Sequence, residues 1–361
     1  MPRSSPILIW QALAAFACAA SLAACARAQP LSLTFRSLVE FASTTTDQNN
    51  QPFTIAGLSG IVHLGGANYL AVMDNSNKLV RLSISTTPNA SIASVQVLSG
   101  FSLAENRDFE GIALGQIAPN GAASTILLAE EGTPAIHEFS LANAQRLQTF
   151  DTPSVFLNRR ANFGFESLTR RPAPAHSAPA PLTELWTANE EALSVDGPLS
   201  SPTAGTLVRL LRYAPDAAGV LRPGAQYAYL TEPMHAPAIT GSRSGISDLL
   251  VHPDGRLLAL ERSFAFDLQT GLFRTRIYEV DFAGATDIRS LASLQGVTYT
   301  RVTKRLLWSG NLNNLEGLTL GPRLSKWSWA LIGIVDDGDP ISTNAVASFE
   351  LRVGPATAVR R

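Results

Sequence analysis

Carboxylates recur along this chain in a fixed order. Five segments share a bulky apolar residue, then Ser or Glu, then a small or acidic residue, then an aliphatic one: Leu58-Ser59-Gly60-Ile61, Phe109-Glu110-Gly111-Ile112, Phe165-Glu166-Ser167-Leu168, Ile246-Ser247-Asp248-Leu249 and Leu315-Glu316-Gly317-Leu318. After each comes an apolar run that closes on an acid: Asp74, Glu130, Glu190, Glu261 and Asp336 in turn. If each run folds back antiparallel on its motif, the two acidic positions face one rim. Glu110, Glu166, Glu316, Asp74, Glu130, Glu190, Glu261 and Asp336 then crowd together, with Asp248 nearby. Carboxylates at that density raise one another's pKa unless cations compensate. Hard cations with oxygen ligands, chiefly Ca2+, suit the donor set. Arg107, Arg243 and Arg262 stand beside the same motifs and are built for bidentate binding of phosphate or carboxylate. Metal and arginine at one mouth are the equipment for phosphate-ester hydrolysis. The same acids also suit a structural use, accepting backbone N–H bonds or pairing with those arginines.

Other chemistries find less support. His63, His137, His176, His235 and His252 are scattered without the spacing of zinc ligands. No Gly-x-Ser-x-Gly elbow and no phosphate-cradling glycine loop is present. Ser59 and Ser247 have no identifiable His partner, and a serine at a strand start commonly bonds to backbone. No residue is assigned as the catalytic nucleophile or base.

To bring these acids to one rim, the chain must repeat a structural unit. A third strand with period-two alternation follows each acid: Leu79–Leu82, Ile136–Phe139, Leu207–Leu210, Arg276–Val280 and Ala347–Leu351. Val95–Leu98 and Tyr227–Leu230 read as fourth strands. Units of three to four antiparallel strands predict an all-β fold, a single β-propeller of five blades. A sixth blade is possible if Val302–Trp308 belongs to a degenerate unit between Gly284 and Gly310. An open β-sandwich is the alternative, but it gives no reason for acids in phase. The early strand Leu33–Val39 has no unit of its own and is expected to complete the last blade. The Pro-rich stretch Arg171–Pro181 reads as an insertion.

Composition agrees with one large domain. The 361 residues are 45% hydrophobic and 16% charged, which excludes disorder, and 28 Lys+Arg against 29 Asp+Glu leave no basic surface for nucleic acid. Residues 1–28 read as a secretory signal peptide, with Arg3 followed by an apolar run free of acids. Cleavage is expected before Cys25, in the lipobox-like Leu22-Ala23-Ala24-Cys25, or after Ala28. The first reading tethers the protein to a membrane through acylated Cys25; the second releases it. Both cysteines, Cys18 and Cys25, lie in this leader, so residues 29–361 carry no disulfide. The expected protein is exported, periplasmic, envelope-anchored or secreted, and monomeric.

The ordered motifs also carry a family resemblance. Gly57-Leu58-Ser59-Gly60-Ile61, Asp108-Phe109-Glu110-Gly111-Ile112-Ala113, Asn162-Phe163-Gly164-Phe165-Glu166, Ser244-Gly245-Ile246-Ser247-Asp248-Leu249-Leu250, Leu260-Glu261-Arg262-Ser263-Phe264 and Asn314-Leu315-Glu316-Gly317-Leu318 together resemble the bacterial phytase-like family, the exported domain labelled "esterase-like activity of phytase". The resemblance spans roughly Leu33 to Leu351. It implies a hydrolase on a propeller and transfers no catalytic residue. The leading expectation is phosphomonoester hydrolysis of a small anionic substrate, with Ca2+ at the acidic rim. The rivals are a metal-dependent lactonase or esterase-type propeller, which needs no arginine clamp, and a non-catalytic envelope binding or scaffold protein.

Overall fold

Each motif leads into the innermost strand of a sheet. The computed structural model describes residues 29–172, 183–337 and 343–354. Strand β1 (Leu31–Glu40) and a small hairpin, β2 (Thr44–Thr46) with β3 (Pro52–Thr54), precede five repeats. The first repeat is β4 (Leu58–Gly65), β5 (Asn68–Met73), β6 (Ser76–Thr86) and β7 (Ile92–Arg107). The second is β8 (Phe109–Leu114), β9 (Thr125–Glu130), β10 (Ala135–Ser140) and β11 (Arg146–Phe150). The third is β12 (Thr169–Arg170), β13 (Leu185–Ala188), β14 (Leu207–Pro215) and β15 (Leu221–Leu230). The fourth is β16 (Arg243–Val251), β17 (Leu257–Asp267), β18 (Gly271–Asp281) and β19 (Thr303–Gly310). The fifth has β20 (Asn314–Ser325), β21 (Ser328–Asp336) and β22 (Ala345–Val353), and it takes its fourth strand from β1. That pairing runs antiparallel from Leu31 opposite Val353 to Glu40 opposite Ala345. The inner strands β4, β8, β12, β16 and β20 pack in a ring, with β20 returning to β4. The fold is a five-bladed β-propeller.

The expected early strand therefore closes the last blade. Val302–Trp308 is no seed of a sixth blade: β19 pairs with β18 as the outer strand of the fourth. The leader, with Cys18 and Cys25, and nearly all of the Arg171–Pro181 insertion lie outside the described residues. One expected strand is short. Phe165 makes a single bridge to Asn189 and ladder pairing resumes only at β12. Between them Ser167 Oγ accepts the Ala188 N–H and Ser167 O accepts the Thr187 hydroxyl. A serine side chain that bonds locally competes with the regular ladder.

Middle strands bury both faces, so they read as unbroken apolar runs rather than alternating ones. In β5, Tyr69, Ala71 and Met73 pack toward the fifth blade while Leu70 and Val72 pack toward the second. Each of the five gaps between neighbouring blades holds its own cluster of buried aliphatic and aromatic side chains. Near the axis the inner strands of three blades approach their neighbours so closely that a side chain has no room. A Cβ on Gly60 would lie 2.6 Å from Glu110 O, one on Gly111 2.3 Å from Leu168 N, and one on Gly317 2.9 Å from Gly60 Cα. At the equivalent place in the fourth blade stands Asp248, whose Oδ2 accepts the Leu318 N–H at 2.7 Å and Oδ1 the Leu249 N–H at 2.8 Å; it also accepts the Leu168 N–H. One carboxylate thus pins the inner strands on either side of its own. This waist separates two mouths.

Candidate functional site

The acidic mouth is set by strand register. Leu58, Phe109, Phe165, Ile246 and Leu315 lie opposite Met73, Glu130, Asn189, Glu261 and Val335. The residues that follow the first set are Ser59, Glu110, Glu166, Ser247 and Glu316. Those that follow the second are Asp74, Glu131, Glu190, Arg262 and Asp336. Successive strand side chains point to opposite faces, so a slip of one residue changes which of them meets the axis. In the second and fourth blades the expected acids, Glu130 and Glu261, are one residue out of phase with the mouth. Their neighbours Glu131 and Arg262 line it instead.

Glu130 and Glu261 are committed elsewhere. Glu130 Oε2 lies 2.8 Å from His137 Nε2 and accepts Arg107 Nη1 at 3.0 Å. Glu261 accepts the Tyr229 hydroxyl at 2.6 Å, Lys304 Nζ at 2.5 Å and the Glu232 N–H at 2.8 Å. β17 runs on to Asp267, so Glu261 sits inside a strand rather than at its end. Arg107 pairs with Glu105 and Glu130 and does not line the mouth.

The expected residues Asp74, Glu110, Glu166, Glu190, Glu316 and Asp336 do converge there with Arg243 and Arg262, around a cavity of about 110 Å3. Arg262 is buried and spans the mouth, donating to Glu190 at 2.8 Å, to Asn314 at 2.7 Å and to Glu316. Burial opposes its charge, yet Glu316, Glu190 and Glu166 raise its pKa further. It acts as a fixed counter-ion. Arg243 keeps 36% of its side chain exposed, with Nε 3.4 Å from Glu190. The structural use expected of the acids holds for some of them. Asp336 accepts the Leu58 N–H at 3.0 Å and Glu131 the Gly164 N–H at 3.2 Å, each from the next blade. Gly57 supports the site with a left-handed φ of 65°, and a Cβ there would lie 1.8 Å from Asp74 Oδ1.

Glu110 and Glu166 have no such partners. Each is more than nine-tenths buried and lines the mouth, and among the described residues neither carboxylate takes part in a hydrogen bond or ion pair. Oε2 of Glu316 is likewise buried without a partner. Two trios bring their oxygens within 4.8 Å of one another: Asp108, Glu110 and Glu131, and Glu131, Glu166 and Glu190. Glu131 is common to both. Burial first, and then neighbouring carboxylates, push Glu110 and Glu166 well above the ordinary range. Burial with Glu190 and Asp108 lifts Glu131 to about 8, and burial with Asp336 lifts Asp74 to about 6. Glu316 rises to about 7 through burial, against the pull of Arg262. All donors are carboxylate oxygens, the set preferred by Ca2+ and unsuited to zinc. The serines bond to backbone: Ser59 donates to Phe109 O and Ser247 to Leu315 O, each toward the next blade.

The sequence model of the Phytase-like family, described as "Esterase-like activity of phytase", matches residues 54–338. The chain belongs to that family. No curated protein matches it. Among solved structures, a luciferin-regenerating enzyme shares 10% identity over 89% of this chain and 97% of its own, with a TM-score of 0.34. Kuenenia stuttgartiensis hydrazine synthase shares 10% over 78% and 77%, with a TM-score of 0.36. A chain of a nidogen/laminin complex shares 10% over 91% and 100%, with a TM-score of 0.33. Likenesses this distant carry no argument about this phytase-like chain. Its family describes a hydrolase on a propeller, and the acidic mouth is the concave site within the matched region where carboxylates gather.

Proposed function

We propose that this phytase-like protein is an exported, metal-dependent phosphomonoester hydrolase that works at the acidic mouth. The observation that carries the reading is the pair of buried carboxylates without partners, Glu110 and Glu166, each within a trio of converging oxygens. An isolated buried carboxylate is costly unless it is neutralised or coordinated. Asp108, Glu110, Glu131, Glu166 and Glu190 would hold Ca2+. The ion supplies polarisation of a phosphoryl oxygen and a more acidic bound water. Arg243, half exposed at the rim, meets the substrate's anionic oxygens. Arg262 keeps Glu190 and Glu316 in place and is not free to clamp a substrate. Asp74, lifted toward neutrality, is the carboxylate poised to take a proton from an attacking water at Oδ2.

A second reading, a metal-dependent lactonase or esterase, draws support from the arginines. Arg107 lies away from the mouth and Arg262 is tied up, so the anion clamp is thinner than expected. One assay separates the readings: purified protein, with Ca2+ or with chelator, on a generic phosphomonoester, phytate and a simple lactone. Ca2+-dependent phosphate release supports the first reading, and lactone opening alone supports the second. Activity on none, with a melting temperature that ignores Ca2+, leaves a non-catalytic binding protein.

A further inference from the structure

The second mouth, at the far ends of the inner strands, is a different kind of cavity. Every inner strand contributes to it, through residues such as Val62, Leu114, Arg170, Leu250 and Leu320. It measures about 400 Å3, in the range of small-molecule pockets. The glycine waist and Asp248 stand between it and the acidic mouth, so it is a cup rather than a tunnel. Most of its walls are aliphatic. The polar side chains among them are engaged with the fold: Thr169 Oγ1 accepts the Val251 N–H at 3.0 Å, Thr319 Oγ1 the His63 N–H at 3.2 Å, and His63 Nε2 lies 2.9 Å from Gly66 O. Arg170, whose guanidinium donates to Leu114 O, Gly115 O and Thr183 Oγ1, is the single fully charged residue lining the cup among those described.

We propose that this cup binds the hydrocarbon chain of a free fatty acid. The aliphatic walls supply burial without orienting hydrogen bonds, which suits a flexible alkyl chain better than a sugar or a nucleotide. Arg170 bonds to two carbonyls and a hydroxyl, none of which cancels its charge, so the wall carries a positive field that favours an anionic head such as a carboxylate. Position on the molecule agrees. Gln29, the first described residue, accepts a bond from Arg256 at 2.7 Å in the turn after β16, whose Leu250 and Val251 wall the cup. The segment that carries the lipobox-like sequence therefore joins the fold beside this mouth, and a membrane tether there would turn the cup toward lipid.

The test titrates the Cys25→Ser protein, which lacks the chain's own candidate acylation site. Chelator is present, so that no cation at the acidic mouth binds the acids. Linear fatty acids from octanoate to tetradecanoate displace a fluorescent fatty acid. Affinity should rise about fourfold with each added methylene, the yield of burying one CH2, and level off once the cup is full. Leu114→Trp and, separately, Leu320→Trp occupy the cup and should remove that chain-length dependence, whereas Glu110→Gln should leave it intact. Affinity that ignores chain length overturns the proposal. So does unchanged binding in both Trp variants when their melting temperatures show that they are folded.

Discussion

Glu110 and Glu166 sit where a carboxylate has most to gain from a cation: buried, close to other acids and without a hydrogen bond. Ca2+ at one hundred times its Kd would add about 2.7 kcal/mol to the native state. At ~2–4 °C per kcal/mol, and less for longer chains, chelation should lower the melting temperature by a few degrees. Glu110→Gln with Glu166→Gln should abolish that shift, because amides ligate Ca2+ less well at nearly the same shape. Glu261→Gln should preserve the shift while lowering overall stability, since it weakens the bonds to Tyr229 and Lys304. A Ca2+ response equal in all three proteins would refute the site. The same acids fix a pH dependence. Folded, Asp74, Glu316 and Glu131 titrate at about 6, 7 and 8, whereas unfolded carboxyls titrate near 4. Between those limits the folded chain binds more protons, so its stability falls as pH rises. In chelator, scanning calorimetry should record a melting temperature several degrees higher at about pH 5.5 than at about pH 8. Excess Ca2+ should flatten the slope. Most of these residues were legible in the sequence, because Asp74, Glu110, Glu166, Glu190, Glu316 and Asp336 stand at repeated positions. Glu131 was not, and for Arg262 the sequence left two readings open, a partner of the acids or a substrate clamp, of which the ion pairs to Glu190 and Glu316 support the first. Counting apolar residues to the first acid cannot tell Glu130 from Glu131, and only the pairing of Phe109 with Glu130 assigns the faces.

At the scale of strands, the repeated glycines are steric requirements. Gly111→Ala would drive a methyl against the backbone of Ser167 and Leu168, atoms that cannot swing aside. Denaturant unfolding should show a loss of about 3 kcal/mol, at the upper end of overpacking costs. Ser59→Ala removes one bond to a carbonyl and should cost about 1 kcal/mol. A Gly111→Ala protein as stable as the parent would contradict the closeness of the waist. Five strand-opening motifs and their apolar second strands were enough to read five blades, and Leu33–Val39 was readable as the closing strand because it had no unit of its own. The third blade was harder. Ser167, where three other blades carry glycine, diverts the bonds that would extend β12. The outer strand β19 follows a long loop, residues 282–302, so proximity in sequence could not assign it to its blade.

For the molecule as a whole, the two mouths differ in polarity: carboxylates and arginines crowd one end of the axis, and mostly aliphatic walls with one arginine line the other. The chain enters at the aliphatic end, since Leu31 and Val353 pair there. If Cys25 anchors the protein, the acidic mouth faces away from the membrane and stays open to water-soluble substrate. Cys25→Ser should then move the protein from the membrane fraction to the soluble one without altering hydrolysis of a soluble phosphomonoester. Fractionation that does not change, with a mature N-terminus at Gln29, would place the cleavage after Ala28.

The pairing of β1 with β22 has a mechanical consequence. Because the strands are antiparallel and both chain ends emerge at Leu31 and Val353, tension applied between the termini falls on one residue pair at a time, in the manner of a zipper rather than a lap joint. A single molecule pulled by its ends should yield first at this seam, at low force. It should release a short length of chain before the remaining blades give way together.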